Sequence, residues 1–198
     1  MKKVLQINTS LHGQEATSTI LASKLALNLA LNQQANVIKR DVGALDIPHL
    51  TAEQHAGFGV APEARSLSQR YAVELSDTLI GELRDSDTIV LGLPLYNFGI
   101  PSAFKAWIDH VARAGETFNY TATGPQGTLT GKKVYVVATR GGKYAGTEAD
   151  LQTPYIRQVL GFLGLDDVEF IYVEGLAMGD QRDAAIDAAN SQIRQIAA

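Results

Sequence analysis

The stretch DTIVLGLPLYNFGIPSAFKAWIDHV, residues 87–111, sets the architecture. Its first part, DTIVLGL (87–93), is a near-continuous apolar run of strand length, the pattern of a parallel strand covered on both faces. Pro94 then removes a backbone donor and is expected to stop the strand. Beyond it, Phe104, Trp107, Ile108 and Val111 recur at helical spacing through 103–113. Between strand and helix stand Tyr96, Asn97 and Phe98, where Gly, Ser or Asp would serve a purely structural turn.

The same strand-then-helix unit recurs on both sides. VLQIN (4–8), KVYVVAT (133–139), VEFIYVE (168–174) and, more weakly, NVIKRDV (36–42) read as strands. Leu21, Leu25 and Leu29 form a stripe in 18–33, flanked by Leu27 and Leu31. Leu67, Tyr71, Leu75, Leu79 and Leu83 do so in 66–84. Two further helices follow from Tyr155, Ile156, Val159, Leu160 and Leu163 in 149–163, and from Ile186, Ala189, Ile193 and Ile196 in 181–197. Alternation of this kind predicts right-handed crossovers with helices on both sheet faces. For five strands it favours a flavodoxin-like α/β sandwich of three layers, parallel order 2-1-3-4-5, over one domain of residues 1–198. Residues 43–65 and 115–131 fit neither period and are expected to be long loops, functional or mobile.

Composition narrows the function. With no cysteine, disulfides, thiolate catalysis and Cys-ligated metals are excluded. His12, His49, His55 and His110 show no ligand spacing, so no metal is expected. The net charge of −4 is spread along the chain, without the basic block of a nucleic-acid or membrane-surface protein. MKKVLQINTS has too short an apolar run for a signal peptide or a span and reads as a first strand; a cytoplasmic protein is expected.

Ligands of open parallel sheets sit beyond the carboxyl ends of the strands. After the first strand, NTSLHGQEATST has neither GxGxxG nor GK[ST], but offers Ser10 and, at a helix start, Thr17 and Ser18. Hydroxyls and free amides there make an anion site, or simply an N-cap. After the third strand, Asn97 suits the mixed edge of a heterocycle, while Tyr96 and Phe98 either flank a flat ring or fold into the core. In TRGGKYAG, Gly141 and Gly142 allow close backbone approach, and Arg140 offers a fixed charge or faces solvent. Together the three turns suit a ligand with a phosphate at one end and a planar polar ring at the other, as in FMN.

LPLYNFGIPSAFKAWIDHVARAGETFNYTATGPQGTLTGKK, followed by ATRGGKY, resembles the FMN-dependent NADH-azoreductases, relatives of the NAD(P)H quinone reductases. The resemblance runs from KVLQINTS to the GLAMG turn. It implies a homodimer with active sites at the subunit interface and ping-pong transfer from NADH through FMN to quinones or azo compounds. It also implies that Ser10, Ala16, Thr17 and Ser18 hold the phosphate. Leu95, Tyr96, Asn97 and Phe98 would line the isoalloxazine, and Thr139, Arg140, Gly141 and Gly142 its pyrimidine end. Leu95 and Thr139 stand where family members often carry Met and Ser, and Tyr144 where one carries His.

The flavin would carry the chemistry, so no acid–base pair is expected among the residues. Phe118, Tyr120, Tyr144 and Phe162, with Tyr96 and Phe98, are expected to serve the substrate side. A one-electron carrier of flavodoxin type shares the fold but usually has a more acidic surface. A response-regulator-like domain would need acids where Asn8 and Thr9 stand.

Overall fold

The protein is described here from a computed structural model covering residues 1–44 and 47–196. The chain runs β1 (Lys3–Asn8), α1 (Thr17–Gln33), β2 (Asn36–Asp41), α2 (Ala52–Ala56), α3 (Leu67–Asp85), β3 (Thr88–Pro94) and α4 (Ser102–Val111). It continues with β4 (Phe118–Thr121), β5 (Gly124–Gly127), β6 (Lys133–Thr139), α5 (Gln152–Leu163), β7 (Asp167–Val173) and α6 (Gln181–Ile196). Short 3₁₀ turns occupy Gly13–Glu15, Gly57–Gly59 and Pro62–Ala64.

The expected strands are all present and parallel, in the order β2-β1-β3-β6-β7. Counting those five alone, this is 2-1-3-4-5. The two expected long loops need correction. Residues 115–131 contain an antiparallel hairpin, β4 against β5, missed because FNYT and GPQG are polar and mostly exposed. Residues 43–65 contain α2 and two 3₁₀ turns, apart from Leu45 and Asp46, which lie outside the described residues, as does residue 197 of the last expected helix. A capping box starts α2: the Thr51 hydroxyl accepts from Gln54 N–H while the Gln54 side chain accepts from Thr51 N–H.

Alternation along the strands divides the core in two. Val4, Val90, Val137 and Ile171 pack with Leu21, Leu25 and Leu29 of α1 and Ala189 and Ile193 of α6. Leu5, Ile7, Leu91 and Val136 point the other way, to Leu79 and Leu83 of α3, Phe104 and Trp107 of α4, and Ile156 and Leu160 of α5. Each buried Leu contributes on the order of 1.5–3 kcal/mol. Leu27 and Leu31, flanking the α1 stripe, face solvent, as do Leu67 and Tyr71 at the start of α3.

One contact fixes α1 against the sheet. A Cβ on Gly92 would sit 3.0 Å from the Ser18 carbonyl and 3.3 Å from the Ala22 methyl. Glycine thus lets the first turns of α1 lie directly on the end of β3, which places the helix N-terminus at the strand ends.

Buried His110 tethers the segment after β2, its Nε2 lying 3.1 Å from the Pro48 carbonyl. Burial lowers its pKa, outweighing that carbonyl and the nearby Asp109 carboxylate. A histidine kept neutral by folding takes up protons more readily when unfolded, so stability is full above its ordinary value of 6.5 and falls as pH drops below it. Urea midpoints are expected to fall between about pH 7 and 5, and His110→Gln to remove part of that slope; parallel slopes would contradict the assignment.

Candidate functional site

At the end of β1, Thr9 is anchored to the sheet, its hydroxyl donating to Gly92 O at 2.8 Å. The next turn brings Ser10 within 2.8 Å of the Tyr96 hydroxyl, so the first and third strand ends are joined by a direct hydrogen bond. The α1 N-cap is Ala16, which has no capping side chain. Ile20 N–H bonds back to Ala16 O at 2.9 Å; the N–H groups of Thr17, Ser18 and Thr19 have no acceptor among the described residues. Ser18 Oγ and Thr19 Oγ1 are buried without a partner. Capping therefore does not account for Thr17 and Ser18. Three free amides and an orphaned buried hydroxyl, at the positive end of a helix dipole, form a cradle for an anion.

At the end of β3, pairing runs through Pro94 to Leu95, whose N–H donates to Thr139 O at 2.9 Å. Pro94 is thus the last strand residue. Tyr96 and Gly99 exchange backbone hydrogen bonds of 3.2 and 2.9 Å around Asn97 (φ 49°) and Phe98 (φ 63°). Two successive left-handed residues make a tight reverse turn of type I′. Asn tolerates that conformation, whereas Phe costs roughly 1–2 kcal/mol there. Phe98 does not fold inward: it stays 55% exposed, with its ring edge-on to Tyr144 at 5.8 Å. Strain that displays an aromatic ring at a strand end is characteristic of binding sites.

At the end of β6, the Arg140 side chain neither faces the ligand edge nor reaches solvent. Its guanidinium is fully buried, 2.9 Å from Asp150 Oδ1 and from Thr153 Oγ1 and 3.2 Å from Glu174 Oε1, over the Tyr172 ring. Glu174 Oε1 also accepts from Tyr144 N–H and Ala145 N–H at 2.7 and 2.9 Å. Burial alone would raise the Asp150 carboxyl, but hydrogen bonds from Thr153 and Arg140 prevail and hold it below the ordinary carboxylate range. The ion cluster pins the turn from behind. The Gly141 and Gly142 carbonyls accept from Ala177 and Gly175 N–H, both at 3.0 Å, while their own N–H groups have no partner among the described residues. A Cβ on Gly142 would meet the Tyr144 hydroxyl at 2.9 Å, so a side chain there would push the Tyr144 ring aside.

Ser10, Ala16, Thr17, Ser18, Leu95, Tyr96, Thr139, Arg140 and Gly141 line one cleft of about 180 Å³, to which His12, Pro94 and Leu176 are added. Asn97, Phe98 and Gly142 adjoin it in the chain. Larger hollows lie elsewhere, about 430 Å³ beside Pro48 and Ala103. Among the described residues, unpaired donors from the start of α1 and from the Gly141 turn meet in the smaller cleft, beside the β3 end.

A family model described as the flavodoxin-like fold matches residues 2–197. An FMN-dependent NADH:quinone oxidoreductase of Burkholderia lata is 48% identical over 195 residues, 98% of each chain. One of Pseudoalteromonas atlantica is 46% identical over 91% of this chain and 90% of its own. The chain belongs to this oxidoreductase family. Among solved structures, an azoreductase of Bacillus anthracis superposes with a TM-score of 0.88 at 26% identity, covering 100% of this chain and 99% of its own.

In this family member the single chain does not bring every expected residue to the cleft. Phe118 and Tyr120 line a separate groove of about 500 Å³ with His55, Phe58 and Arg113. Phe162 packs on Phe118 at 4.3 Å, and Arg113 lies 4.8 Å over the Phe58 ring. Tyr144 stays at the cleft rim through Phe98 and Gly142. Residues absent from the sequence reading also matter. A Cβ on Gly43 would sit 2.1 Å from the Ser10 carbonyl, so this glycine supports the anion loop from beneath. Nothing in the local sequence signals a partner 33 positions away, because its φ is not positive and only the tertiary contact demands glycine.

Proposed function

We propose that this chain is an FMN-dependent NADH:quinone oxidoreductase that also reduces azo compounds, with FMN held by Ser10, Ala16–Ser18, Leu95–Phe98 and Thr139–Gly142. The observation that carries the reading is the convergence of unpaired donors at one cleft: three amides and the Ser18 hydroxyl at the start of α1, and the Gly141 amide with that of Gly142 next to it in the chain. The donor set fits the group. Neutral amides and hydroxyls suit a phosphate, and two free glycine amides suit the carbonyl-rich edge of a pyrimidine ring. When bound, FMN supplies the two-electron chemistry, accepting a hydride from NADH and delivering it to a quinone, or twice over to an azo bond.

The residues contribute binding, orientation and electrostatics. The Ser10–Tyr96 hydrogen bond couples the phosphate loop to the ring-binding turn, so one geometry serves both ends. Gly141 and Gly142 N–H groups, fixed from behind by the Arg140 cluster, would favour negative charge on the pyrimidine edge of a bound FMN. Phe98 and Tyr144 leave an apolar rim against which a flat donor or acceptor stacks.

The protein works as a cytoplasmic homodimer in this proposal. Support comes from the Phe58–Phe118–Tyr120 groove, where Tyr120 is 77% exposed: an apolar wall that a second copy would turn toward a cleft. Steady-state rates with NADH and a quinone are expected to give parallel double-reciprocal lines, the pattern of alternating substrates in one site. Intersecting lines would contradict it.

Asn97→Ala and Gly141→Val test the site itself. The first removes the amide and places Ala at φ 49°; the second puts a branched side chain on the cleft wall. Each is expected to weaken FMN binding about tenfold, the equivalent of about 1.4 kcal/mol. Full flavin retention in both purified variants would contradict the assignment.

A further inference from the structure

Residues 9–18, which build the anion cradle, contain no Lys or Arg and do contain Glu15. A cation arrives from elsewhere. Arg182 crosses 165 positions of sequence to place Nη2 3.4 Å from Thr17 Oγ1, in the first turn of α1. Its Nη1 lies 3.4 Å from the carbonyl of Leu176, another cleft-lining residue. Among the described residues it is the only cationic side chain bonded to that turn.

Three features argue against an incidental surface contact. Arg182 occupies the second position of α6, where the helix dipole disfavours positive charge and Asp or Glu is preferred. A residue that breaks its local rule is expected to answer to something outside its own helix. Next, a Thr17 hydroxyl that accepts from Arg182 keeps its single proton free to donate into the cradle. Finally, the cradle contains the buried, unpartnered Ser18 Oγ, which independently points to a missing oxygen ligand. Both arginine contacts are long for charge-assisted bonds, so the guanidinium is only lightly engaged and free to turn onto a phosphate oxygen.

We propose that Arg182 is the cationic partner of the flavin phosphate and sets this chain's preference for FMN over riboflavin. The inference rests on the FMN reading above. The test is titration of the deflavinated full-length protein with FMN and with riboflavin, followed by flavin fluorescence, for wild type, R182M and R182K. R182M is expected to weaken FMN binding about tenfold while moving riboflavin by less than about twofold, and R182K to recover part of the loss. The salt dependence of FMN affinity is expected to become shallower in R182M. FMN affinity unchanged in R182M, or both flavins weakened equally, would overturn the proposal while leaving the FMN site standing. Failure of the wild type to bind FMN would overturn both.

Discussion

Arg140→Met is expected to destabilise the protein by about 3–5 kcal/mol, because it leaves the Asp150 and Glu174 carboxylates facing a cavity where a buried cation stood. The effect should extend to the ligand. Glu174 holds Tyr144 N–H and Ala145 N–H only while its own charge is balanced, and Asp150 shapes the start of α5 by accepting from Thr153 N–H at 3.0 Å. Loss of the cation frees both segments and the adjoining Gly141–Gly142 turn, so FMN binding falls as well. Arg140→Lys should rescue little, since one ammonium cannot span two carboxylates and a threonine as the guanidinium fork does.

The pH dependence has a definite sign. The folded Asp150 carboxyl is held low, so the stability it contributes is present above its ordinary value of 3.8 and is lost as pH falls through the lower folded value. In Arg140→Met the arginine's share of that depression is lost while the Thr153 bonds remain, and the penalty of the substitution should shrink as pH approaches about 4. Urea unfolding of both proteins at neutral and acidic pH measures this. A constant difference across the range would contradict the electrostatic account.

Gly43→Ala is the second substitution with a large expected effect. The added methyl would lie 2.1 Å from the Ser10 carbonyl oxygen and 2.8 Å from its carbon, both backbone atoms that cannot turn aside. Either β2's exit or the Ser10 loop must move, at about 1–3 kcal/mol for overpacking of this kind. Displacement of Ser10 also breaks its bond to Tyr96, which separates the phosphate loop from the ring-binding turn. The variant should therefore fold with a reduced Tm and bind FMN at least about tenfold more weakly. A variant with lower Tm but unaltered flavin affinity would show that the loop yields without disturbing the cleft.

The parallel sheet was legible because VLQIN, DTIVLGL and KVYVVAT are largely buried and so read as near-continuous apolar, β-branched runs, broken by few polar residues such as Gln6. The β4–β5 hairpin was not, since its residues are exposed and its Thr-Ala-Thr-Gly connection resembles a loop. For α2, the Thr51-x-x-Gln54 capping box was readable in principle, but five residues are too few to show a hydrophobic period. In the candidate site, the loops announced themselves through Asn97, Phe98 and the glycine pair, whose residue types are unusual for plain turns. The direction of the Arg140 side chain could not be read, because Asp150 and Glu174 become its neighbours only through the packing of β6, β7 and α5. Arg182 and Gly43 were hidden for the same reason: each acts on a residue distant in sequence.

The central claim is that three strand-end turns jointly hold FMN in a form NADH can reduce. The direct measurement is the visible spectrum of the purified protein incubated with FMN, freed of excess flavin, and then treated with NADH under anaerobic conditions. The account predicts about one retained FMN per chain and bleaching of the yellow absorbance when NADH is added. A protein that emerges colourless from that incubation, or whose retained flavin stays yellow in excess NADH, would contradict it.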